Sequence, residues 1–222
     1  MQNATQLRDT LRTLVTEHKL QFIERTLMQR TRYITFAFER FYHEHNIQAA
    51  MRSIEGCGFQ DVSIIDNEKK ITSSVNVTTG ADYWLTTHEY AHGDNATQAC
   101  FDALRGQGYH LVGATPHHKS YTVSELPLDR KVALVFGNER IGLSEYALNH
   151  VDTHVTIPMY VFTESFNASA SVAIVAYELR KRLQLSDSVW HLTQQEMFDI
   201  ELTWLKRLVR GAEYIEKNIS NS

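Results

Sequence analysis

Leu134-Val-Phe-Gly-Asn-Glu-Arg-Ile-Gly-Leu-Ser144, followed by Ile157-Pro-Met-Tyr-Val-Phe-Thr-Glu-Ser-Phe-Asn-Ala-Ser-Ala-Ser171, decides how the rest of the chain reads. An apolar run from Val132 to Phe136 stops at Gly137 and gives way to the polar turn Asn138-Glu139-Arg140. A second short apolar strand stops at Pro158, a loop of small and polar residues follows, and an apolar helix begins near Ala168. Two strand ends therefore present glycine, carboxylate, hydroxyl and amide groups. In open parallel sheets ligands bind beyond the carboxyl ends of the strands.

Working back from that stretch, Tyr109-His-Leu-Val-Gly-Ala-Thr115 reads as a strand ended by Pro116. A helix carrying Ala99, Ala103 and Leu104, capped by Asp94 or Asn95, stops at Gly106-Gln-Gly108 before it. Tyr33 to Tyr42 and Asp61 to Asp66 are two more strands, rich in aromatic and β-branched residues. Between them a helix has Ile47, Ala50, Met51 and Ile54 on its apolar side. Strands alternating with helices predict a parallel α/β sheet. Asn67 to Gly80 and His117 to Pro127 read as loops, and Trp84-Leu85 as a short apolar run before a turn.

Working forward, the helix after Ala168 aligns Val172, Val175, Ala176, Leu179 and Leu183, and its basic end at Arg180-Lys-Arg182 suits the helix dipole. After a linker, one last helix spaces Met197, Ile200, Trp204, Leu208, Ala212 and Ile215 along a stripe. Residues 5 to 29 are helical by the same spacing argument. The expected organisation is an N-terminal helical arm over 1–30, a central α/β domain over 31–184 and a C-terminal helical extension over 185–222.

Composition narrows the possibilities. With 222 residues, 43% hydrophobic and 22% charged, the chain can bury a core without staples. Cys57 and Cys100 make neither a disulfide framework nor a metal cluster. The N-terminus lacks an apolar signal core and no run is long enough to span a membrane, which points to the reducing cytoplasm. A net charge of −4 announces no nucleic-acid binder, so any RNA site is a local patch. The basic residues between Lys19 and Arg40, Arg25, Arg30 and Arg32 among them, are either a solvated helix face or such a patch. There is no phosphate-loop motif, no Gly-X-Gly-X-X-Gly and no nucleophile elbow. The pairs His43/His45, His88/His92 and His117/His118 lack a Cys or carboxylate set at ligand spacing, so no metal is expected. Asn46 and Arg52 are placed to face the sheet end that carries Glu139 and Asn167. On spacing alone the simpler reading is that Asn46 caps the helix and Arg52 pairs with Glu55 on the surface.

Asn46-Ile-Gln-Ala-Ala-Met-Arg52, Phe136-Gly-Asn-Glu-Arg-Ile-Gly-Leu-Ser144, and Ile157-Pro-Met-Tyr with Glu164-Ser-Phe-Asn-Ala-Ser169 resemble, in order, the three motifs of the SpoU-type methyltransferases of the SPOUT superfamily. The likeness covers about Tyr33 to Arg182. The helical arm and the tail from His191-Leu-Thr-Gln-Gln-Glu196 resemble the tRNA (guanosine-2′-O-)-methyltransferase branch. Gln48, Ala49, Cys57 and Phe166 depart from the commoner pattern without removing a catalytic type.

The resemblance implies a parallel-sheet SPOUT fold with a C-terminal trefoil knot, a homodimer with its site near the interface, and S-adenosylmethionine as methyl donor. It implies methylation of a ribose 2′-hydroxyl in tRNA, at the D-loop guanosine of position 18. The alternatives are ribosomal RNA or another tRNA position, and a non-catalytic RNA-binding module that keeps the fold. Carried over residue by residue, Arg52, Asn46, Glu139, Ser165 and Asn167 match the catalytic positions. The backbone around Thr115, Gly137, Ile157, Met159 and Phe166 would cradle the donor, with Gly137 allowing close approach to it. Arginine is a poor base at neutral pH, so Arg52 is read as a fixed cation that stabilises a developing alkoxide or grips a phosphate.

Overall fold

The computed structural model describes residues 2–65, 80–90, 95–117, 120–160 and 162–221. They form two compact units: Thr31–Trp190, and Met1–Arg30 with His191–Ser222.

The larger unit is built on a seven-stranded sheet. Its strands are β1 (Ile34–Glu39), β2 (Asp61–Ile65), β3 (Thr86–Tyr90), β4 (His110–Ala114), β5 (Tyr121–Thr122), β6 (Val132–Phe136) and β7 (Thr153–Thr156). They lie in the order β3-β2-β1-β6-β4-β7-β5, and each neighbouring pair is parallel. The two central strands, β1 and β6, are buried at every position. Parallel strands covered on both faces read as continuous apolar runs rather than alternating ones, as these do.

Alternation still decides which side chain faces which layer. Ile34, Phe36 and Phe38 of β1, with Val132, Leu134 and Phe136 of β6, pack against helices α3 (Glu44–Gly56) and α6 (Ala168–Gln184). Ala37, Ala133 and Val135 face the opposite layer, where α4 (Ala96–Gly106) brings Cys100, Phe101 and Leu104 and α5 (Glu145–His150) brings Ala147. Burial pushes the Cys100 thiol up to about 12, so it packs as a small apolar group. Both cysteines are free.

Three expectations needed correction. Thr86–Tyr90 is a strand rather than a turn; its polar Thr-Thr-His-Glu-Tyr sequence hid it because β3 lies at the sheet edge with three positions exposed. The loop after Pro116 contains the two-residue strand β5, which pairs with β7. The basic end of α6 does more than complement a dipole. Arg182 donates to the carbonyls of Val123 and Leu126, both at 2.6 Å, and the Arg180 guanidinium lies 4.3 Å from the Trp190 ring centroid. The expected loop over 67–80 lies outside the described residues except Gly80, as do Asp66, Asp94, His92 and His118.

In the smaller unit, α1 (Gln2–Arg12) and α2 (Glu17–Leu27) are separate helices, the second capped by Thr16. The single C-terminal stripe is also broken, into α7 (Gln194–Leu208) and α8 (Ala212–Ser220). Gly211, at φ 82°, stands at the break; a left-handed residue ends the run that helical spacing alone would continue. Thr193 and Glu196 close a capping box on α7. Arg12 joins α1 to both Glu24 of α2 and Glu201 of α7. Among the described residues no helix is long and apolar enough to cross a membrane.

Candidate active site

Four adjacent strands, β1, β6, β4 and β7, end at one edge of the sheet, and the segments leaving them form the site. The order of these strands reverses the sequence order around β1 and β6. Such a switch point leaves a crevice beyond the strand ends.

Glu39, the last residue of β1, sits at the base although it is 1% exposed. Its carboxylate accepts from the Thr97 hydroxyl at 2.7 Å, the Ser144 hydroxyl at 2.7 Å and the Ser144 amide at 2.8 Å. A buried carboxylate is tolerated because donors replace its water. Here it locks the far end of the 137–144 loop and the start of α5, which Ser144 caps. Arg40 follows at φ 54°, the one described non-glycine residue at positive φ. Its carbonyl accepts from Asn138 Nδ2 at 2.7 Å, while Asn138 Oδ1 accepts from the amides of Arg140 and Ile141.

The same loop gives Gly137 a packing role. A Cβ there would lie 2.2 Å from Gly142 C and Leu143 N. A side chain is excluded there because the loop folds back on its own backbone.

Glu139 is the hub. One carboxylate oxygen accepts from Tyr42 N at 2.8 Å; the other accepts from His43 N at 3.2 Å and Asn46 Nδ2 at 2.7 Å. His43 is the N-cap of α3 and makes no side-chain cap. Glu139 supplies the anion there from a different strand end. Burial alone would push the Glu139 carboxyl up, but the Asn46 amide and the backbone amides outweigh it and hold it below the ordinary carboxylate value. It is an ionised, occupied acceptor rather than a free base.

Asn46 is therefore not a helix cap. It is 3% exposed, inside the first turn of α3, and its Oδ1 accepts from Asn167 Nδ2 at 3.3 Å. Asn167 in turn caps α6, accepting from the amides of Ser169 and Ala170. Three of the expected residues, Asn46, Glu139 and Asn167, thus form one continuous chain of hydrogen bonds between α3, the β6 loop and α6.

Beside this chain lies a cavity of about 340 Å³, within the range of small-molecule sites. Thr115, Gly137, Ile157, Met159, Ser165 and Phe166 all line it, with Phe136, Leu143 and Val155 as apolar wall. Its charged lining includes Glu139, Glu164 and Arg140. Apolar walls suit an adenine ring, and two carboxylates suit a sulfonium cation with its ammonium group, so the residues present fit S-adenosylmethionine.

The remaining expectations fall outside this cluster. Arg52 is on the exposed side of α3, about 120° around the helix from Asn46 at 3.6 residues per turn. It does not line the cavity and makes no ion pair with Glu55. Arg25 is exposed on α2, its guanidinium 5.4 Å from the Phe22 ring centroid. Arg30 is 1% exposed and lies over Trp204, so it has no surface to offer a phosphate. Arg32 is held by Asp61 at 2.9 Å. His88 also reaches Asp61, at 3.1 Å, and among the described residues no group of three or more His, Cys, Asp or Glu could hold a metal ion. Sequence reasoning overlooked Glu39; a carboxylate inside an apolar strand was the signal.

The chain is similar to several known proteins. The chain is 35% identical over 208 residues to a tRNA (guanosine(18)-2′-O)-methyltransferase of Borreliella burgdorferi, covering 94% of this chain and 93% of that one. Its fold is similar to the crystal structure of the Aquifex aeolicus TrmH/SpoU tRNA modifying enzyme, with a TM-score of 0.76 at 24% identity over 87% of this chain and 98% of the other. It also resembles the SpoU methyltransferase AviRb of Streptomyces viridochromogenes in complex with the cofactor AdoMet, with a TM-score of 0.62 at 22% identity, over 72% and 64%. Residues 33–177, which include every strand of the sheet and the whole hydrogen-bonded chain from Asn46 to Asn167, match the SpoU rRNA Methylase family, and the protein belongs to that family.

Proposed function

We propose that this protein transfers a methyl group from S-adenosylmethionine to the 2′-hydroxyl of guanosine 18 in tRNA. The observation that carries the reading is the Asn46–Glu139–Asn167 chain set against the mixed polar and apolar cavity. The Borreliella relative, named for that reaction and matched along nearly its whole length, supports the choice of RNA and nucleotide. Bound in the cavity, S-adenosylmethionine would supply an electrophilic methyl on a cationic sulfur.

The chain's own residues then do three things. The lining from Thr115 to Phe166 holds the donor. The hydrogen-bonded chain fixes the start of α3, the β6 loop and the start of α6 relative to one another, and such positioning supplies much of the barrier reduction in a transfer that needs only in-line approach. As the O–CH3 bond forms, the S–CH3 bond breaks to leave neutral S-adenosylhomocysteine and the hydroxyl proton passes to water; Arg52, fixed as a cation, favours the alkoxide character of the oxygen as that proton leaves, or grips the adjoining phosphate.

Arg52 reaches the reacting oxygen in a homodimer whose site lies near the interface. Exposed Tyr160, Phe162, Phe166 and Tyr177, on α6 and the segment before it, support such a surface. We also infer a trefoil knot in the C-terminal part of the sheet; the position of β6 between β1 and β4 supports it. Arg25 remains the candidate phosphate contact among the three arginines. The helical unit and the catalytic unit divide the work of holding RNA and transferring methyl, and the compartment is the cytoplasm.

The test is tritium transfer from S-adenosylmethionine to unmodified tRNA, with the modified nucleotide mapped. Methylation at guanosine 18 is expected. Modification of ribosomal RNA or of another tRNA position would replace the substrate assignment, and donor binding without transfer to any RNA would overturn the enzyme reading.

A further inference from the structure

Glu139 is flanked by two side chains that the hydrogen-bonded chain does not use. Arg140 follows it in sequence, and Tyr42 is tied to it through the backbone. The Arg140 guanidinium lies 4.9 Å from the Tyr42 ring centroid. Tyr42 is 49% exposed and Arg140 is exposed as well. The rings of Tyr42 and His43 are nearly perpendicular, at 85°, with centroids 4.9 Å apart.

The backbone under both residues is fixed with unusual completeness. The left-handed turn at Arg40 sends Phe41 into the core, at 2% exposure, and Tyr42 outward. Tyr42 N is held by Glu139 and Arg140 N by Asn138 Oδ1. A half-exposed aromatic ring is ordinary by itself. A ring with a guanidinium laid over it, both anchored by the residues that organise a transfer site, is a preformed stacking surface.

We infer that Tyr42 and Arg140 form a platform for a nucleobase of the RNA, the base of the methylated nucleotide, which they hold while its ribose faces the Asn46–Glu139–Asn167 chain. This rests on the RNA methyltransferase reading above. Single-stranded and splayed-out bases are bound by stacking on aromatic rings and arginine planes, and purines offer the larger face. Arg140 lines the donor cavity and Tyr42 does not, so Tyr42 is the position that separates base binding from donor binding.

The experiment is steady-state methyl transfer to tRNA by the full chain and by Tyr42→Leu and Tyr42→Phe, with S-adenosylmethionine affinity measured by calorimetry. Loss of one stacking contact should raise the KM for tRNA about tenfold in Tyr42→Leu. A contact made equally in ground and transition states leaves kcat within about twofold. Tyr42→Phe, which keeps the π face, should recover most of the loss, and donor affinity should not move. An unchanged KM in Tyr42→Leu overturns the platform, as does an equal loss in Tyr42→Phe or a parallel fall in donor affinity. If the parent chain methylates no tRNA, the proposed function fails and the platform with it. If it does and Tyr42→Leu matches it, the platform alone fails.

Discussion

Gly137→Ala is the most severe small change available at the site. The added methyl would lie 2.2 Å from Gly142 C, 2.2 Å from Leu143 N and 2.3 Å from Gly142 O, where ordinary contact begins near 3.4 Å. The difference, 3.4 − 2.2, requires the two backbone segments to part by about 1.2 Å. All three clashing atoms are main chain, so no rotamer change relieves them. The loop cannot yield freely, because Asn138 ties it to Arg40 and Ser144 ties it to buried Glu39. Overpacking of this kind costs about 1–3 kcal/mol and sometimes more. The strain falls on residues that line the cavity proposed for the donor, so affinity for S-adenosylmethionine should drop by about tenfold if it costs the bound state ~1.4 kcal/mol more than the free one. Urea unfolding and calorimetric titration of the same preparation read the two effects. Gly113→Ala is the control: its Cβ would meet side-chain atoms of Leu143 at 3.0 Å and Val151 at 3.1 Å, which can move, and the cost should be smaller. Wild-type affinity and midpoint in Gly137→Ala would refute the claim that the loop's own backbone demands glycine.

Asn46→Asp puts a second carboxylate 2.7 Å from Glu139 in place of a donor. In the parent chain the depressed Glu139 carboxyl gives stability that is present above its unfolded value of 4.5 and lost as pH falls. The variant's paired carboxylates raise one folded-state value, so stability should instead be present at low pH and fall as pH rises through that raised value. Thermal midpoints across the acidic to neutral range would show the reversal, and parallel profiles for the two proteins would argue against the pairing. Arg52→Lys should keep little methyl transfer because a point charge lacks the guanidinium fork. Near-native turnover with unchanged donor affinity would deny that geometry a role. Arg182→Ala removes two charge-assisted bonds to the carbonyls of Val123 and Leu126 and should lower urea stability by about 2 kcal/mol. A change of under about 0.5 kcal/mol would mean water replaces them.

The buried strands were legible because their apolar runs carry the signal of a doubly covered parallel sheet, and α3, α4 and α6 followed from helical spacing. What sequence could not resolve depends on neighbours distant along the chain. β3 is polar because it is an edge, and β5 exists only through its pairing with β7. Helical spacing passed through Gly211 because Ala212 and Ile215 keep the period across the break. The motif residues were recognisable, but their chemistry was not. That Glu139 accepts from Tyr42, His43 and Asn46, and that a Cβ on Gly137 would strike Gly142 and Leu143, follow from neighbours the motifs do not display. Arg30 looked like surface charge and is buried against Trp204. No local pattern announces which cation will be covered by a segment about 170 residues away.

The pairing of the first helices with the last imposes an order on synthesis. Arg12 has its partner Glu201 on α7, which leaves the ribosome only after the 160 residues from Thr31 to Trp190. At about 5–20 residues per second, α1 and α2 wait on the order of 10–30 s with an apolar face uncovered. During that interval the catalytic unit can complete its sheet while the helical unit cannot yet exist. A released chain ending before residue 194 would therefore carry the sheet-bearing unit together with a pair of sticky, unassembled N-terminal helices, the state in which a holding chaperone has the most to bind.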